Sequence, residues 1–236
     1  MTKPSDPNAK PLSREQVLYA AIELADSSGI ESLSMRKLGD SLHVKAMSLY
    51  NHVKDKGDVL DGIVDIVVSK IKMPEEKTDW KSALRERAVS AHEVLLNHPW
   101  AASLLMSRPN PGPSMLKYID STMGILRNAG FSIEVSDHAW NTLDSYIYGY
   151  TLQELNYPFD MAEIKKVAAT YLPHLPTNEY PYMAELTEHI VSSSYKENYI
   201  GVHDYNFGLD LILNGLERIL TTTNSNKLKG RKNEHK

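Results

Sequence analysis

Helix-capping residues followed by apolar residues at helical spacing recur along this chain, and this pattern most constrains its fold. Ser13 and Gln16 stand three residues apart, as in a capping box. The apolar residues that follow them repeat at helical spacing, and Gly29 can end this first helix in the left-handed conformation. Runs that alternate around a hairpin turn, as strands would, are missing from the sequence. The sequence therefore predicts an all-α fold.

Two shorter helices and a longer one are predicted to follow. Ser34 is a good N-cap for a second helix, and a third short helix is predicted from Lys45 to Val53. His43 lies in the turn between them, where a positive φ is often required, and histidine tolerates it better than most residues other than glycine. Asp55 can cap a fourth helix from Lys56 to about Lys72.

Prolines and glycines separate a further series of predicted helices. Their expected ranges are about 79–97, 99–106, 113–129, 132–155, 161–172, 180–198 and 203–222. The polar segment 73–78 is the most plausible domain boundary. We expect a flexible N-terminal arm at 1–12, a small helical domain at 13–59, a larger helical domain at 60–223 entered through the linking helix 56–72, and a basic disordered tail at 224–236.

The composition excludes several classes of protein. The sequence has no cysteine, which excludes disulfides, thiolate zinc sites and thiol catalysis. Its first ten residues are polar and do not resemble a signal peptide. The longest apolar stretch, Ile63–Val68, is interrupted by Asp65 and is too short to cross a bilayer. We therefore expect a cytoplasmic protein that does not associate with membranes.

Charge is distributed unevenly along the chain. The formal net charge is -4. Within 34–56, however, five lysines and arginines stand against two aspartates, and the larger predicted domain is acidic. A surface that binds phosphates needs a compact basic patch of this kind, although a solvated face would explain isolated charges equally well.

Two short helices joined by a tight turn after a longer helix form a helix-turn-helix, whose second helix enters the major groove of DNA. Lys45 can then donate to guanine, and Ala46 and Met47 can contact a thymine methyl. Arg36 can bind a base or a phosphate, or else form a surface salt bridge. The candidate DNA-binding residues are Ser34, Arg36, Lys45, Ala46, Met47, Ser48, Tyr50, Asn51, His52, Lys54 and Lys56.

For two of these residues a second interpretation stands beside DNA contact. Tyr50 can pack its ring while its hydroxyl reaches a phosphate. His52 is as easily a structural histidine as a residue that reads a base.

The segment from Ser34 to Lys56 resembles the DNA-binding domain of the TetR family of bacterial regulators. With the preceding segment 21–30, the parts that carry the resemblance best are 33–38, 49–53 and Lys56, and the family usually has glycine where His43 stands. The resemblance implies a homodimer that binds a palindromic operator and is released by a small organic effector, with repression as the usual outcome.

The downstream segments 126–132 and 207–217 are similar to the tetracycline-repressor type of C-terminal domain. This similarity implies that the helix carrying 207–217 pairs with the helix that begins near Ser132 in a four-helix dimer interface. Gly208 and Gly215 share a face of that helix beside a stripe of leucines, but the helix could instead be buried in its own monomer. The candidate dimer residues are Gly208, Leu209, Leu213, Gly215, Leu216 and Leu220.

Aromatic residues and methionines of the larger domain are candidates for an effector pocket, although simple packing explains most of them. The candidates are Trp100, Leu104, Arg108, Met123, Trp140, Ser145 and Tyr148. By the resemblance, Leu104 and Ser145 stand where the tetracycline repressor has histidines, one of which binds the metal. We therefore expect no metal or other cofactor, and an uncharged or weakly polar organic effector rather than a magnesium–tetracycline chelate.

Two other functional classes remain as alternatives. An enzyme is disfavoured because the sequence has no zinc-protease histidine pair, nucleophile elbow, P-loop or dinucleotide fingerprint. A helical dimer that senses a ligand or binds a protein partner without binding DNA is the second alternative. Binding through phosphates weakens steeply with salt, so salt dependence distinguishes this class from a DNA-binding regulator.

Overall fold

The computed structural model of this chain describes residues 11–73, 79–157, 161–192 and 204–233, without the side chains of 161–162 and 224–233. Within these residues the regular structure is helical throughout, as the sequence predicts. The α-helices are α1 (Arg14–Ser28), α2 (Met35–Ser41), α3 (Ala46–Leu49), α4 (Lys56–Ser69), α5 (Trp80–Asn97), α6 (Ala101–Ser107), α7 (Pro113–Asn128), α8 (Ile133–Leu155), α9 (Met161–Tyr171), α10 (Pro181–Ser192) and α11 (Tyr205–Asn233).

The predicted helix starts are confirmed by their hydrogen bonds. The Ser13 hydroxyl accepts from the Gln16 backbone at 3.2 Å, and the Gln16 side chain accepts from the Ser13 backbone at 2.9 Å, which completes the capping box. At the start of α2 the Ser34 hydroxyl accepts from the Lys37 backbone, and at the start of α4 the Asp55 carboxylate accepts from the Asp58 backbone. These side chains satisfy backbone N–H groups that have no partner within the helix.

The two predicted backbone turns differ in outcome. His43 has a φ of 57°, so the positive φ expected between α2 and α3 is confirmed. Gly29 also has a positive φ, 77°, but its ψ of 154° is extended. The expected left-handed cap at Gly29 is therefore wrong. After the extended backbone of Gly29, the chain forms a short 3₁₀ turn, Ile30–Ser32.

Helix α4 crosses the predicted boundary between residues 13–59, named the N-terminal domain, and residues 60–223, named the larger domain. It packs against α1 on one side and against α5, α6 and α7 on the other. Val59 and Ile63 are fully buried near its start and Val67 near its end. The buried residues of the two domains form one continuous apolar cluster, which includes Leu38 and Leu143. A movement of α4 therefore alters packing in both domains.

The larger domain is built around α5, α7 and α8, which pack on one another, with α11 lying across α5 and α8. Leu84, Leu126 and Ile147 are fully buried between these helices. Helices α9 and α10 pack mainly on each other. None of the helices in the described ranges is long and apolar enough to span a membrane.

The expected disordered tail at 224–236 is wrong for most of its length, because the backbone of α11 stays helical to Asn233. Residues 221–229 contain neither proline nor glycine, so the sequence does not force α11 to end at 223. Most of the predicted N-terminal arm (1–10) and most of the predicted domain boundary (74–78) lie outside the described residues.

Candidate DNA-binding surface and core polar cluster

Helices α2 and α3 approach each other closely at Gly39. A β-carbon on Gly39 would lie 2.9 Å from the Val44 carbonyl oxygen and 3.1 Å from the Ala46 backbone nitrogen. Both neighbours are backbone atoms of the turn and of α3, so they cannot move aside as a flexible side chain can. The glycine thus sets the distance at which α3 is held against α2.

All the candidate DNA-binding residues reach the surface of the N-terminal domain. The Met47 side chain is 74% exposed and Tyr50 is 46% exposed, although the Tyr50 ring was also a candidate for packing. Leu49 and Val53 fill the core from the same segment instead. The other exposed candidates are Arg36, Lys45, Asn51, Lys54 and Lys56; Ser34, Ala46, Ser48 and His52 are half-buried.

The basic side chains on this surface are not neutralised by the protein. Among the described residues, Arg36, Lys37, Lys45, Lys54 and Lys56 form no ion pair. The surface salt bridge considered for Arg36 is therefore not formed. By contrast, Arg14 on α1 is held by both carboxylate oxygens of Asp58 at 2.7 Å. Unpaired cations beside an exposed recognition helix can bind phosphates without first breaking an internal contact.

Trp100, a candidate effector residue, lies at the junction of the two domains instead. Its indole N–H donates to the Asp26 carboxylate of α1 at 2.6 Å. His98 Nδ1 also bonds Asp26, at 2.9 Å, and Lys70 Nζ lies 2.9 Å from His98 Nε2. Because ammonium can only donate, Nε2 accepts and Nδ1 carries the proton donated to Asp26. Trp100 thus joins the larger domain to α1, and its role in an effector pocket stays a prediction.

Arg108 attaches the loop between α6 and α7 to α4. Its guanidinium bonds the Asp61 carboxylate and donates to the Gly57 carbonyl at 3.0 Å. Asp65, also on α4, accepts from the Ser114 and Met115 backbones at the start of α7 at 2.9 and 3.0 Å. A cavity of about 40 Å³ lies beside these contacts. That is far smaller than the roughly 300–1,000 Å³ typical of ligand pockets.

Two other effector candidates meet in a buried polar cluster that sequence reasoning missed. Trp140 and Tyr148 both donate to Asp144 on α8, at 2.8 and 3.1 Å. Arg87, which has no exposed surface, pairs with the same carboxylate from α5, and the Tyr118 hydroxyl of α7 donates to it at 3.2 Å. Burial raises the pKa of the Tyr118 hydroxyl, and that of Tyr148, above the ordinary tyrosine value, so both remain neutral donors.

The remaining effector candidates do not join this cluster. Leu104 and Met123 are half-buried, and Leu104 packs against the apolar core. Ser145 is exposed on the outer face of α8. Its side chain therefore points away from the core of this subunit, and its role as an effector residue stays a prediction. Within the described residues no group of three histidine, aspartate or glutamate side chains is placed to hold a metal.

The leucine stripe predicted for a dimer interface faces the monomer core. Leu209 and Leu213 have no exposed surface, and Leu216 is 7% exposed. Leu220 is half-buried beside Gly130, and a β-carbon on Gly208 would lie 2.5 Å from the Tyr146 hydroxyl. The assignment of Leu209, Leu213 and Leu216 to a partner subunit is corrected, because α11 uses that face against α5 and α8. For Gly208 and Leu220, which keep some exposed surface, it stays a prediction. Gly215 alone lies on the exposed side of the helix.

The opposite face of α11 is apolar and open. Phe207 is 64% exposed, Leu211 is 61% exposed and Ile219 is 45% exposed. With Gly215 they follow one another at intervals of four residues, so they form a stripe that turns slowly around the helix. The exposed side of α8 carries small residues, among them Ser145 and Gly149.

Comparison with known proteins identifies the family. Residues 73–220 match the family model described as "Tetracyclin repressor-like, C-terminal domain". The chain belongs to the TetR family of transcriptional regulators. The sequence also aligns with the tetracycline repressor protein class C of Escherichia coli, which is 30% identical over 90% of this chain and 94% of that protein.

Two further relatives extend the comparison. An HTH-type transcriptional regulator of Saccharopolyspora erythraea is 38% identical, over 58% of this chain and 59% of that protein. The crystal structure of the Streptomyces coelicolor TetR family protein ActR in complex with actinorhodin is 26% identical, covers 89% of this chain and 99% of that one, and has a TM-score of 0.75. The relatives of this TetR chain are transcriptional regulators and not enzymes.

Proposed function

We propose that this TetR-family chain binds operator DNA as a homodimer in the cytoplasm, represses transcription there, and is released by a small organic effector rather than catalysing a reaction. The observation that carries the proposal is the unpaired basic surface around α3, where Lys45 and Met47 are exposed at the start of the recognition helix. A TetR-family relative is named a repressor, and ActR is described in complex with a small molecule.

The proposed dimer uses the exposed stripe of α11 with the outer face of α8. Phe207, Leu211 and Ile219 present apolar surface there, while Gly149 and Gly215 permit close helix approach. Dimerisation would cover this stripe. It would also hold two recognition helices about 34–36 Å apart, which is the spacing that two half-sites one helical turn apart require.

The proposed link between effector and DNA is α4. Arg108 of the α6–α7 loop bonds Asp61 of α4, and Asp65 of α4 accepts from the backbone at the start of α7. At its other end α4 packs on α1 of the N-terminal domain. A shift of α7 on effector binding would therefore move α4 and change the distance between the two recognition helices. Effector and operator would then favour different conformations of one dimer.

Fluorescence anisotropy with DNA from upstream of the chain's own gene, at two salt concentrations, tests the proposal. Tyr50→Phe should weaken binding if its hydroxyl meets a phosphate, and Arg36→Ala should cost about 1–3 kcal/mol and relax specificity if it reads a guanine. Tyr19→Phe is the matched control, because Tyr19 is also 46% exposed but lies on α1.

Each outcome separates the candidate functions. Specific binding that falls steeply with salt and is unchanged in Tyr19→Phe supports the regulator. If neither this DNA nor duplexes selected from a random pool bind above the nonspecific level, the alternative of a ligand-sensing or partner-binding dimer replaces it. Activation instead of repression would appear as increased transcription from the same operator in a reporter assay.

A further inference from the structure

We propose that Arg87 binds an anionic oxygen, a carboxylate or phenolate, of an aromatic effector. The proposal rests on the proposed function, in that the larger domain is taken to hold the effector. It replaces the uncharged or weakly polar effector expected from the sequence, and it starts from a mismatch between donors and acceptors in the core cluster.

Asp144 has its hydrogen-bonding capacity filled. Its Oδ1 is paired with Arg87 Nη2 and accepts from the Tyr118 hydroxyl, while its Oδ2 accepts from the Trp140 indole and the Tyr148 hydroxyl. A carboxylate offers about four lone-pair sites, two on each oxygen. Four donors therefore fill these sites, and Asp144 cannot also accept hydrogen bonds from Nε and Nη1 of Arg87.

Arg87 is left with unused donors. Its Nε and Nη1 are fully buried and meet no acceptor among the described residues. The guanidinium carbon stacks 4.1 Å from the centroid of the Tyr118 ring, which stabilises its charge but does not satisfy its N–H groups. Buried N–H groups of a charged side chain are costly to leave unpaired.

The missing acceptor is best supplied by an anion. Hydrogen bonds between a guanidinium and a negatively charged oxygen are about twice as strong as neutral ones. The neighbouring tyrosines, Tyr118 and Tyr148, cannot take this role, because burial keeps them protonated and both donate to Asp144. Arg87 has no exposed surface, so an acceptor can reach it only when α5 and the helices around it separate.

Aromatic side chains of α5, α8 and α11 cluster beside the segment of α5 that follows Arg87. Tyr205 donates to the carbonyl of Ala88, the next residue of α5, at 2.8 Å. Its ring stacks on His92 at 4.2 Å between centroids and meets Tyr150 edge-on at 5.2 Å. The Tyr150 hydroxyl is buried and has no hydrogen-bond partner within the described part of the chain. A planar aromatic effector could stack among these rings and place a second polar group at Tyr150.

The test compares ionised aromatic acids with neutral amides of the same shape. The acids are benzoate and 2-naphthoate, and the amides are benzamide and 2-naphthamide. Each is titrated into the full chain at pH 7.5, and binding is measured by the melting temperature and the tryptophan fluorescence of the protein. The acids should bind about tenfold or more tightly than the amides. Because Arg87→Met alone would strand a buried carboxylate, Arg87 and Asp144 are changed together to Met and Asn.

A matched double variant controls for the loss of an ion pair from α5. Arg85 and Asp210 pair α5 with α11 near the surface, and their change to Met and Asn should leave the preference for acids intact. The Arg87/Asp144 variant should lose the preference for acids, once circular dichroism has shown that it is folded. The proposal is overturned if amides bind as well as acids, if the preference survives in that variant, or if no acid raises the melting temperature.

Operator binding is measured separately on the same variants. If the Arg87/Asp144 variant binds operator but the wild type binds acids no more tightly than amides, the proposed regulator function is supported and the proposed anionic effector is refuted. If the wild type binds acids but no DNA, the proposed regulator fails while the acid site stands.

Discussion

Gly39 is the residue on which the geometry of the helix-turn-helix depends most directly. A β-carbon there would press on backbone atoms of Val44 and Ala46, so α3 must move outwards. We expect Gly39→Ala to lower the free energy of unfolding by about 1–3 kcal/mol and to weaken operator binding, measured by urea unfolding and anisotropy. Gly124→Ala is the control, because its β-carbon meets nothing within 4 Å, and it should be neutral or stabilising.

Asp58 makes the N-terminal domain sensitive to acid. Hydrogen bonds from Arg14 lower the pKa of this carboxyl to about 2, below its value in the unfolded chain. A lowered pKa stabilises the fold above about pH 4 and loses this contribution as the pH falls towards 2. Because the guanidinium is partly exposed, we expect Asp58→Asn to cost about 1 kcal/mol at pH 6 and roughly half of that at pH 3.

Urea midpoints at the two pH values measure this difference. Asp120→Asn serves as the reference, since Asp120 is an exposed carboxylate of α7. A cost for Asp58→Asn that stays constant with pH would show that the ion pair with Arg14 does not contribute.

At the scale of single helices, α11 presents two apolar faces, and the exposed one should control assembly. Leu211→Arg places a charge in the proposed dimer face, so we expect a larger monomer fraction and weaker operator binding. Leu116→Arg is the matched control, because Leu116 is 56% exposed on α7 and lies outside α8 and α11. Analytical ultracentrifugation at micromolar concentration decides, and equal dimer fractions in both variants would contradict the proposed face.

The same helix shows where sequence patterns suffice and where they do not. Caps at Ser13, Ser34 and Asp55 are local, so the sequence predicts the helix starts that the structure confirms. Helical periodicity identifies Leu209 and Leu213 as one face, but apolar residues such as Leu211 continue on the other. Which face is covered by the chain itself depends on α5 and α8, which the sequence of α11 cannot show.

The core polar cluster has a related explanation. Arg87 sits among apolar residues such as Leu84 and Ala91 of α5, and Asp144 sits beside Leu143 of α8. For both Arg87 and Asp144, the sequence signal was a single charged residue on the apolar face of a predicted helix. Their pairing spans 57 positions of sequence, however, and is decided by how α5 and α8 pack. Candidates chosen as aromatic residues therefore included Trp140 and Tyr148 but missed the charges that hold them.

At the scale of the whole molecule, the two domains are joined by α4 and by a small polar junction. Lys70, His98 and Trp100 converge on Asp26 of α1, directly or through one another. The apolar cluster runs through α4 without a break between the domains. This arrangement couples the stability of the N-terminal domain to that of the larger one, so a change in the larger domain can reach the DNA-binding surface.

Replacing Trp100 with phenylalanine tests that coupling. Trp100→Phe keeps an aromatic ring but removes the N–H that bonds Asp26. We expect this change to lower the free energy of local unfolding of α1 by about 1 kcal/mol. Hydrogen exchange should then accelerate about fivefold in α1, since RT is about 0.59 kcal/mol. Trp140→Phe also loses an indole bond to a carboxylate, but within the larger domain, and should leave exchange in α1 unchanged. Equal acceleration of α1 in both variants would mean that α4 packing alone joins the domains.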